Sequence, residues 1–339
     1  MKRTYLLIIG IAILFSCGSK NKPLPQNLAP TNLLVSTSIA TDSSGNITLK
    51  ATATGAATYL FNFGNGATQS SITGTVTYKY PATGSYSITV TATSTSGETA
   101  VVNAQANIGV KLNLVWSDEF NTPGSPDPTK WGFDLGGGGW GNNELENYTS
   151  RTNNVVISNG TLKIIAQKES YGGSSYTSAR ILTQKFYGFT YGKIEVRAKL
   201  PGNAGTWPAI WMLGNNISTV GWPNCGEIDI MENVGVQSYK IFGTVHFLGQ
   251  PSGSGVGGTV QVPSAFTDFH RYGVIWNPST VQFLVDDVSY FSYANSSSSP
   301  FNQNFFIILN MAMGGDFGGK IDPNFTQGQM EVDYVRVYQ

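Results

Sequence analysis

The sequence predicts an all-β chain built as two modules, a small β-sandwich followed by one large all-β domain. Three observations carry this. Charged residues make up only 12% of the 339 residues, while Gly alone reaches 40; an average soluble domain has about 25% charged residues. Short runs alternate apolar and polar residues with period two and are split by Gly, Asn and Ser, as half-buried strands are. No long stretch repeats with the helical period. At roughly 100–200 residues per domain, the length suits about two domains. Twenty basic and twenty acidic residues cancel, which gives no electrostatic case for nucleic acid or an anionic membrane surface as partner.

The chain opens on an address. Lys2 and Arg3 precede an apolar run from Tyr5 to Phe15, closed by Ser16 and Cys17. The run is shorter than the about 20 residues that a spanning helix needs, and its charged start and small-residue end are those of a secretory signal. Leu14-Phe15-Ser16-Cys17 resembles the bacterial lipobox. That resemblance implies a leader over 1–17, with Cys17 as the lipidated first residue of the mature chain, anchored to an outer membrane through acyl chains alone. Residues 18–30 (GSKNKPLPQNLAP) read as a polar tether. With Cys17 consumed, Cys225 has no partner left among the two cysteines and is expected to be packed and inert.

Residues 31–110 form the first module. They hold four charges (Asp42, Lys50, Lys79, Glu98) and no Trp, whereas all seven Trp lie at or beyond Trp116. Alternation is plain from Ile47 to Ala53 and from Tyr86 to Ala92, which indicates a small sandwich. Tyr59–Gly66 (YLFNFGNG) and Tyr78–Val90 (YKYPATGSYSITV) resemble the PKD family of immunoglobulin-like domains, with Asn62 and Asn65 where that family usually has Asp. No cluster of titratable groups occurs here, so a spacer is expected rather than a catalyst; a sugar-binding role for its Tyr residues is the alternative.

Residues 111–339 are enough for one large domain with a substantial core. Strands are expected at Leu162–Ala166, Gly192–Leu200, Tyr272–Trp276, Val281–Val285, Phe305–Met311 and Met330–Tyr338. There is no phosphate-binding Gly loop, zinc-spaced His/Cys cluster or nucleophile elbow, and two His in all argue against a His-based triad. What stands out is Gly226-Glu227-Ile228-Asp229-Ile230-Met231-Glu232-Asn233. In a strand Glu227 and Asp229 share a face, and Glu232 joins them only if a β-bulge at Ile230-Met231 adds one residue. Three carboxylates in one cleft repel one another and raise at least one pKa. A retaining glycosidase needs that combination: one ionised carboxylate as nucleophile and one protonated carboxylic acid for the leaving group. A solvated acidic strip is the competing reading, and the large apolar flanks speak against it. Retention also needs the two carboxyls about 5–5.5 Å apart. A flat strand at about 3.4 Å per residue separates the α-carbons of Glu227 and Glu232 by more than ~10 Å, so the strand must curve.

Gly205–Gly214 (GTWPAIWMLG) and Gly221–Glu232 (GWPNCGEIDIME) resemble bacterial laminarinases of glycoside hydrolase family 16. So do Trp116–Phe120 (WSDEF), Trp140–Glu144 (WGNNE), Phe189–Pro201 (FTYGKIEVRAKLP) and Gly243–Phe247 (GTVHF). The resemblance runs from about Val115 to the C-terminus. It implies a concanavalin-like jelly-roll β-sandwich whose concave face carries a glycan cleft, following an immunoglobulin-like, PKD-type sandwich. It further implies Glu227 as nucleophile, Glu232 as acid/base and Asp229 as the group that tunes them, with no cofactor for catalysis. Trp207, Trp211 and Trp222 are candidate platforms for pyranose rings, Trp211 being the one most readily read as core. Asn142 and Arg180 match positions that bind sugar on the nonreducing side, a structural Arg–carboxylate pair being the other reading of Arg180. His246 falls where the family has a His near the acid/base, while His270 is expected to be structural. Ile275 stands where the family commonly carries Glu. The resemblance also implies a structural calcium away from the cleft, held by the carbonyls of Glu119 and Gly160 and by Asp333; hard oxygen donors suit that ion.

The expectation is an endo-acting, retaining β-1,3-glucanase, monomeric and anchored at the cell surface, with laminarin-like glucan as its partner. Alternatives are a mixed-linkage glucan or an agar-type galactan as substrate, or a glycan-binding protein on the same scaffold. Both catalytic carboxylates are present, which weighs against the last.

Overall fold

The computed structural model describes residues 28–339 apart from 82, 236, 238 and 250–254. The expected leader, the lipidated Cys17 and all but the last three residues of the tether lie outside the described residues. Among the described residues, no helix is long and apolar enough to cross a membrane.

The first seven strands are β1 (Thr31–Ile39), β2 (Asn46–Thr54), β3 (Thr58–Asn62), β4 (Thr68–Ser71), β5 (Thr75–Lys79), β6 (Gly84–Thr93) and β7 (Thr99–Ile108). They form two sheets, β1-β2-β5 and β4-β3-β6-β7. Period-two alternation places Ile47, Leu49 and Ala51 of β2 against Ile88, Val90 and Ala92 of β6, with Phe61, Phe63 and Tyr80 filling the centre. This is the expected small two-sheet β-sandwich, and its core is separate from the one that follows.

The remainder begins with β8 (Leu114–Asp118), β9 (Gly132–Asp134), β10 (Glu146–Tyr148), β11 (Val155–Ser158), β12 (Thr161–Tyr171), β13 (Ser174–Ser178) and β14 (Arg180–Leu182). It continues through β15 (Gly192–Lys199), β16 (Thr206–Gly214), the single-turn α1 (Ile217–Val220), β17 (Glu227–Asn233), β18 (Lys240–His246) and β19 (Val256–Gln261). It ends with β20 (His270–Trp276), β21 (Thr280–Val285), β22 (Val288–Ala294), β23 (Phe305–Met313), α2 (Gly315–Gly318) and β24 (Gln327–Tyr338). Every strand expected from the pattern is present.

Two large sheets face each other. One runs β10-β13-β12-β24-β15-β20-β21-β22, with β11 added on β12 and β8 on β24; the other runs β19-β18-β17-β16-β23-β14-β9. The core between them takes Ile194 and Val196 of β15, Val274 and Trp276 of β20 and Val335 and Val337 of β24 from the first sheet. The second contributes Ile210 and Met212 of β16, Ile228 and Ile230 of β17 and Ile307 and Leu309 of β23. Because alternate residues of β16, β17 and β23 are committed to this core, the residues between them are turned to the outer face of the seven-stranded sheet. The site is built on that face.

Candidate active site

β17 lies between β16 and β18. Asp229 pairs with Thr244 and Glu232 with Phe242, three residues of advance set against two. On the other edge Asp229 and Met231 face the consecutive residues Trp211 and Ile210. The extra residue expected at Ile230-Met231 is therefore present as a bulge. Ile228, Ile230 and Met231 all enter the core, and Glu232 returns to the face of Glu227 and Asp229. The three carboxylates wall a cleft of about 600 Å³ together with Asn142, Arg180, Trp207, Trp211 and Trp222.

An indole keys each outer carboxyl. Trp222 Nε1 donates to Glu227 Oε2 at 2.9 Å, and Trp207 Nε1 donates to Glu232 Oε1 at 2.9 Å. Phe317 of α2 meets the Trp207 ring edge-on at 5.4 Å, which fixes the donor. Asp229 sits between, within hydrogen-bonding reach of Glu227 and feeling the charge of Glu232. Burial, then mutual repulsion, pushes the group up. Glu227 is raised to about 8 by burial and by Asp229. Glu232 is raised to about 7, chiefly by burial, with the Trp207 hydrogen bond opposing. Burial followed by the Glu232 charge holds Asp229 well above the carboxylate range. Three such groups cannot all ionise near neutrality, so the protons belong to the cluster rather than to single residues.

The resemblance set His246 near the acid/base. Strand register places it opposite Glu227, with Nε2 3.1 Å from Asp229 Oδ2 and 4.0 Å from Glu227 Oε1, and its charge also reaches Glu232. It is not among the cleft walls. Glu227, Asp229 and His246 are also the one group of His and acidic ligand atoms, among the described residues, close enough together to hold a metal.

The expected sugar contacts occupy the cleft. Trp222 is half exposed and offers a free ring face. Trp211 donates through Nε1 to Asn310 Oδ1 at 2.8 Å and belongs to the cleft wall rather than to the main core. Arg180 makes the structural pair, its Nε lying 2.9 Å from Asp134 Oδ2, while its guanidinium lines the cleft 5.0 Å from the Trp140 ring and 4.7 Å from the Trp211 ring. Asn142 donates to Glu144 Oε1 at 3.0 Å. Sequence reasoning gave no role to Trp140, Glu144 or Glu146. The last two repeat the two-residue carboxylate spacing of Glu227 and Asp229, which was the available signal.

Away from the cleft, His270 bridges Ser264 and Asp286 at 2.9 and 2.7 Å. Cys225 is buried and free, and burial pushes its thiol up to about 11. β12 pairs with β24 as far as Val332, and β8 takes over at Val335. Asp333 thus sits in a gap whose two flanks begin next to Gly160 and Glu119, and it shares its carboxylate with Arg197. A crevice of about 610 Å³ where the two modules meet has Asp42 as its one acidic side chain.

A twisted β-sandwich that sets a row of buried carboxylates in a tryptophan-lined cleft defines a glycoside hydrolase. The family model for glycosyl hydrolases family 16 matches residues 142–336, and the chain belongs to that family. A second model, for the beta-glucan synthesis-associated proteins SKN1/KRE6/Sbg1, matches residues 52–227. A beta-glucanase of Rhodothermus marinus is 46% identical over 243 residues, covering 67% of this chain and 85% of its own. A glucan endo-1,3-beta-glucosidase of Cryptopygus antarcticus is 41% identical, covering 66% and 90%. Among solved structures, one from Z. galactanivorans in complex with laminaritriose and laminaritetraose is 43% identical with a TM-score of 0.63, covering 68% of this chain and all of its own.

Proposed function

We propose that the chain is an endo-acting, retaining glycoside hydrolase that cleaves β-1,3-glucans such as laminarin. The observation that carries this is the bulged β17, which aims Glu227, Asp229 and Glu232 into one cleft; the names of the relatives supply the substrate class.

Glu227 attacks the anomeric carbon and forms a covalent glycosyl-enzyme. Glu232 protonates the departing glycosidic oxygen, then takes a proton from the incoming water. Its raised pKa keeps it a proton donor near neutrality. Asp229, which burial keeps protonated, donates a hydrogen bond to the ionised Glu227 carboxylate, and Trp222 holds that carboxylate in place. Trp222 and Trp211 offer ring faces to pyranose C–H surfaces, while Asn142 and Arg180 reach sugar hydroxyls.

The test is reducing-end release from laminarin, lichenan and agarose, run beside Glu227→Gln. We expect rapid cleavage of laminarin and a loss of roughly 10⁴-fold or more in the variant, the scale on which lost nucleophiles act. Full activity in Glu227→Gln sinks the assignment, and cleavage of agarose alone replaces the substrate.

The same proposal anchors the chain at the outer membrane through acylated Cys17, with the PKD-like module as spacer and the protein monomeric. Cys17→Ala should then move it from the membrane to the soluble fraction. A structural calcium between Glu119, Gly160 and Asp333 completes it; chelation should lower Tm and leave kcat at low temperature unchanged.

A further inference from the structure

The cleft wall holds a second acidic pair. Glu144 is buried at the cleft; its Oε1 accepts from Asn142 Nδ2 at 3.0 Å and its Oε2 from the Tyr148 hydroxyl at 2.9 Å. The Tyr148 hydroxyl accepts from Asn310 Nδ2 at 2.9 Å, and Asn310 Oδ1 accepts from Trp211 Nε1 at 2.8 Å. An indole N–H can only donate, so the chain has one direction, from Trp211 through Asn310 and Tyr148 to Glu144. Asn142 spends an amide hydrogen on the same carboxylate, which leaves its carbonyl oxygen for a sugar hydroxyl.

Glu146, two residues on, is fully buried. Its Oε2 accepts the Met313 amide at 2.6 Å. Its Oε1 is buried without any N–H or O–H donor, and the side chain within hydrogen-bonding reach is the carboxyl of Glu144. Two ionised carboxylates cannot be left facing each other in a dry site. One proton on Glu146 closes the count: the acid donates to Glu144 and still accepts from Met313.

We propose that Glu146 is a positioning residue for glucan binding, a neutral carboxylic acid that donates to Glu144, fixes it as the shared acceptor of Asn142 and Tyr148, and thereby sets which end of the Asn142 amide meets the sugar. The proposal rests on the glucan reading of the cleft. The titratable groups around Glu146 are Glu144 and Tyr148 on its own segment, Tyr176 paired to it on β13 and Arg180 on β14; β23 adds the neutral Asn310 and the Met313 amide. Burial and the Glu144 charge push Glu146 up to about 9, so the donor is in place at neutral pH and is lost above that value.

The test compares the full chain with Glu146→Gln, whose amide donates and accepts like the neutral acid and does not titrate. KM and kcat for laminarin oligosaccharides are measured across pH. Wild-type KM should climb as pH passes about 9, by roughly tenfold per further unit. The variant's KM should stay level, with kcat following the same profile in both. Superimposable KM profiles overturn the proposal while leaving the glucanase reading intact. An infrared difference spectrum, wild type minus variant, decides the pair without any turnover: a carboxylic-acid C=O band near neutral pH supports the neutral Glu146, and its absence overturns it. If neither protein cleaves any glucan, the reading of the cleft fails and the infrared result alone judges the proton. Should Glu146→Gln fail to fold, Glu144→Gln takes its place. It should raise KM roughly tenfold at neutral pH with kcat held, and an unchanged KM overturns the proposal.

Discussion

Glu227 and Glu232 have to differ in charge during the first half of the reaction, and their surroundings bring them close to that balance. Below about 7 the pair holds two protons and no nucleophile is available; above about 8 it holds none and no acid remains. The one proton left in between belongs to the pair, and the productive form is the one in which it sits on Glu232. The pH profile of kcat/KM is therefore expected to be a narrow bell between those values, its limbs belonging to the coupled pair. The charge of His246 lowers both groups, so His246→Gln should move both limbs to higher pH; limbs that stay in place would remove His246 from the circuit. Stability answers to the same groups. Glu227 is raised in the folded protein above its ordinary 4.5, so its contribution to stability is complete below that value and is lost as pH rises through about 8. Glu227→Gln should accordingly melt higher than wild type at alkaline pH and match it at acid pH, which thermal scans at the two extremes would check.

At the scale of elements, the bulge in β17 is the decisive device. Deleting Met231 removes the extra residue, and regular two-residue alternation then keeps Glu232 on the face of Glu227 and Asp229. We expect the deletion to leave Glu232 in the cleft and to lower Tm by several degrees, because the buried Met231 thioether is lost from between the sheets. A deletion variant that melts like wild type would refute the bulge. The bulge was legible in the sequence because three acidic residues at 227, 229 and 232 cannot share a strand face without it. The pairing of Trp207 with Glu232 and of Trp222 with Glu227 was not: a tryptophan beside an acidic strand reads as a ring face for sugar, and nothing local shows that its N–H is aimed at a carboxylate.

The whole molecule keeps two separate cores, one from strands β1 to β7 and one from the two large sheets. Near the junction, the Lys111 amide donates to the Ser43 carbonyl at 2.7 Å, while Asn113 and Gln339 exchange backbone hydrogen bonds at 2.8 and 2.9 Å. The large sandwich thus closes its own end, and a chain starting at Lys111 is expected to fold and to cleave laminarin with kcat within about twofold of the full protein. A marked fall in kcat would give the first module a part in the reaction. By itself the sequence determined the all-β class, the strands and the acidic face of β17, since side-chain period and residue chemistry act within a few positions. Only the tertiary structure decided where His246 stands and how Trp211 reaches Asn310, 99 residues away. It likewise decided that Glu146 meets Glu144 in a dry pocket. Those contacts depend on the register between strands distant in the chain, which is set by how both sheets close over one core.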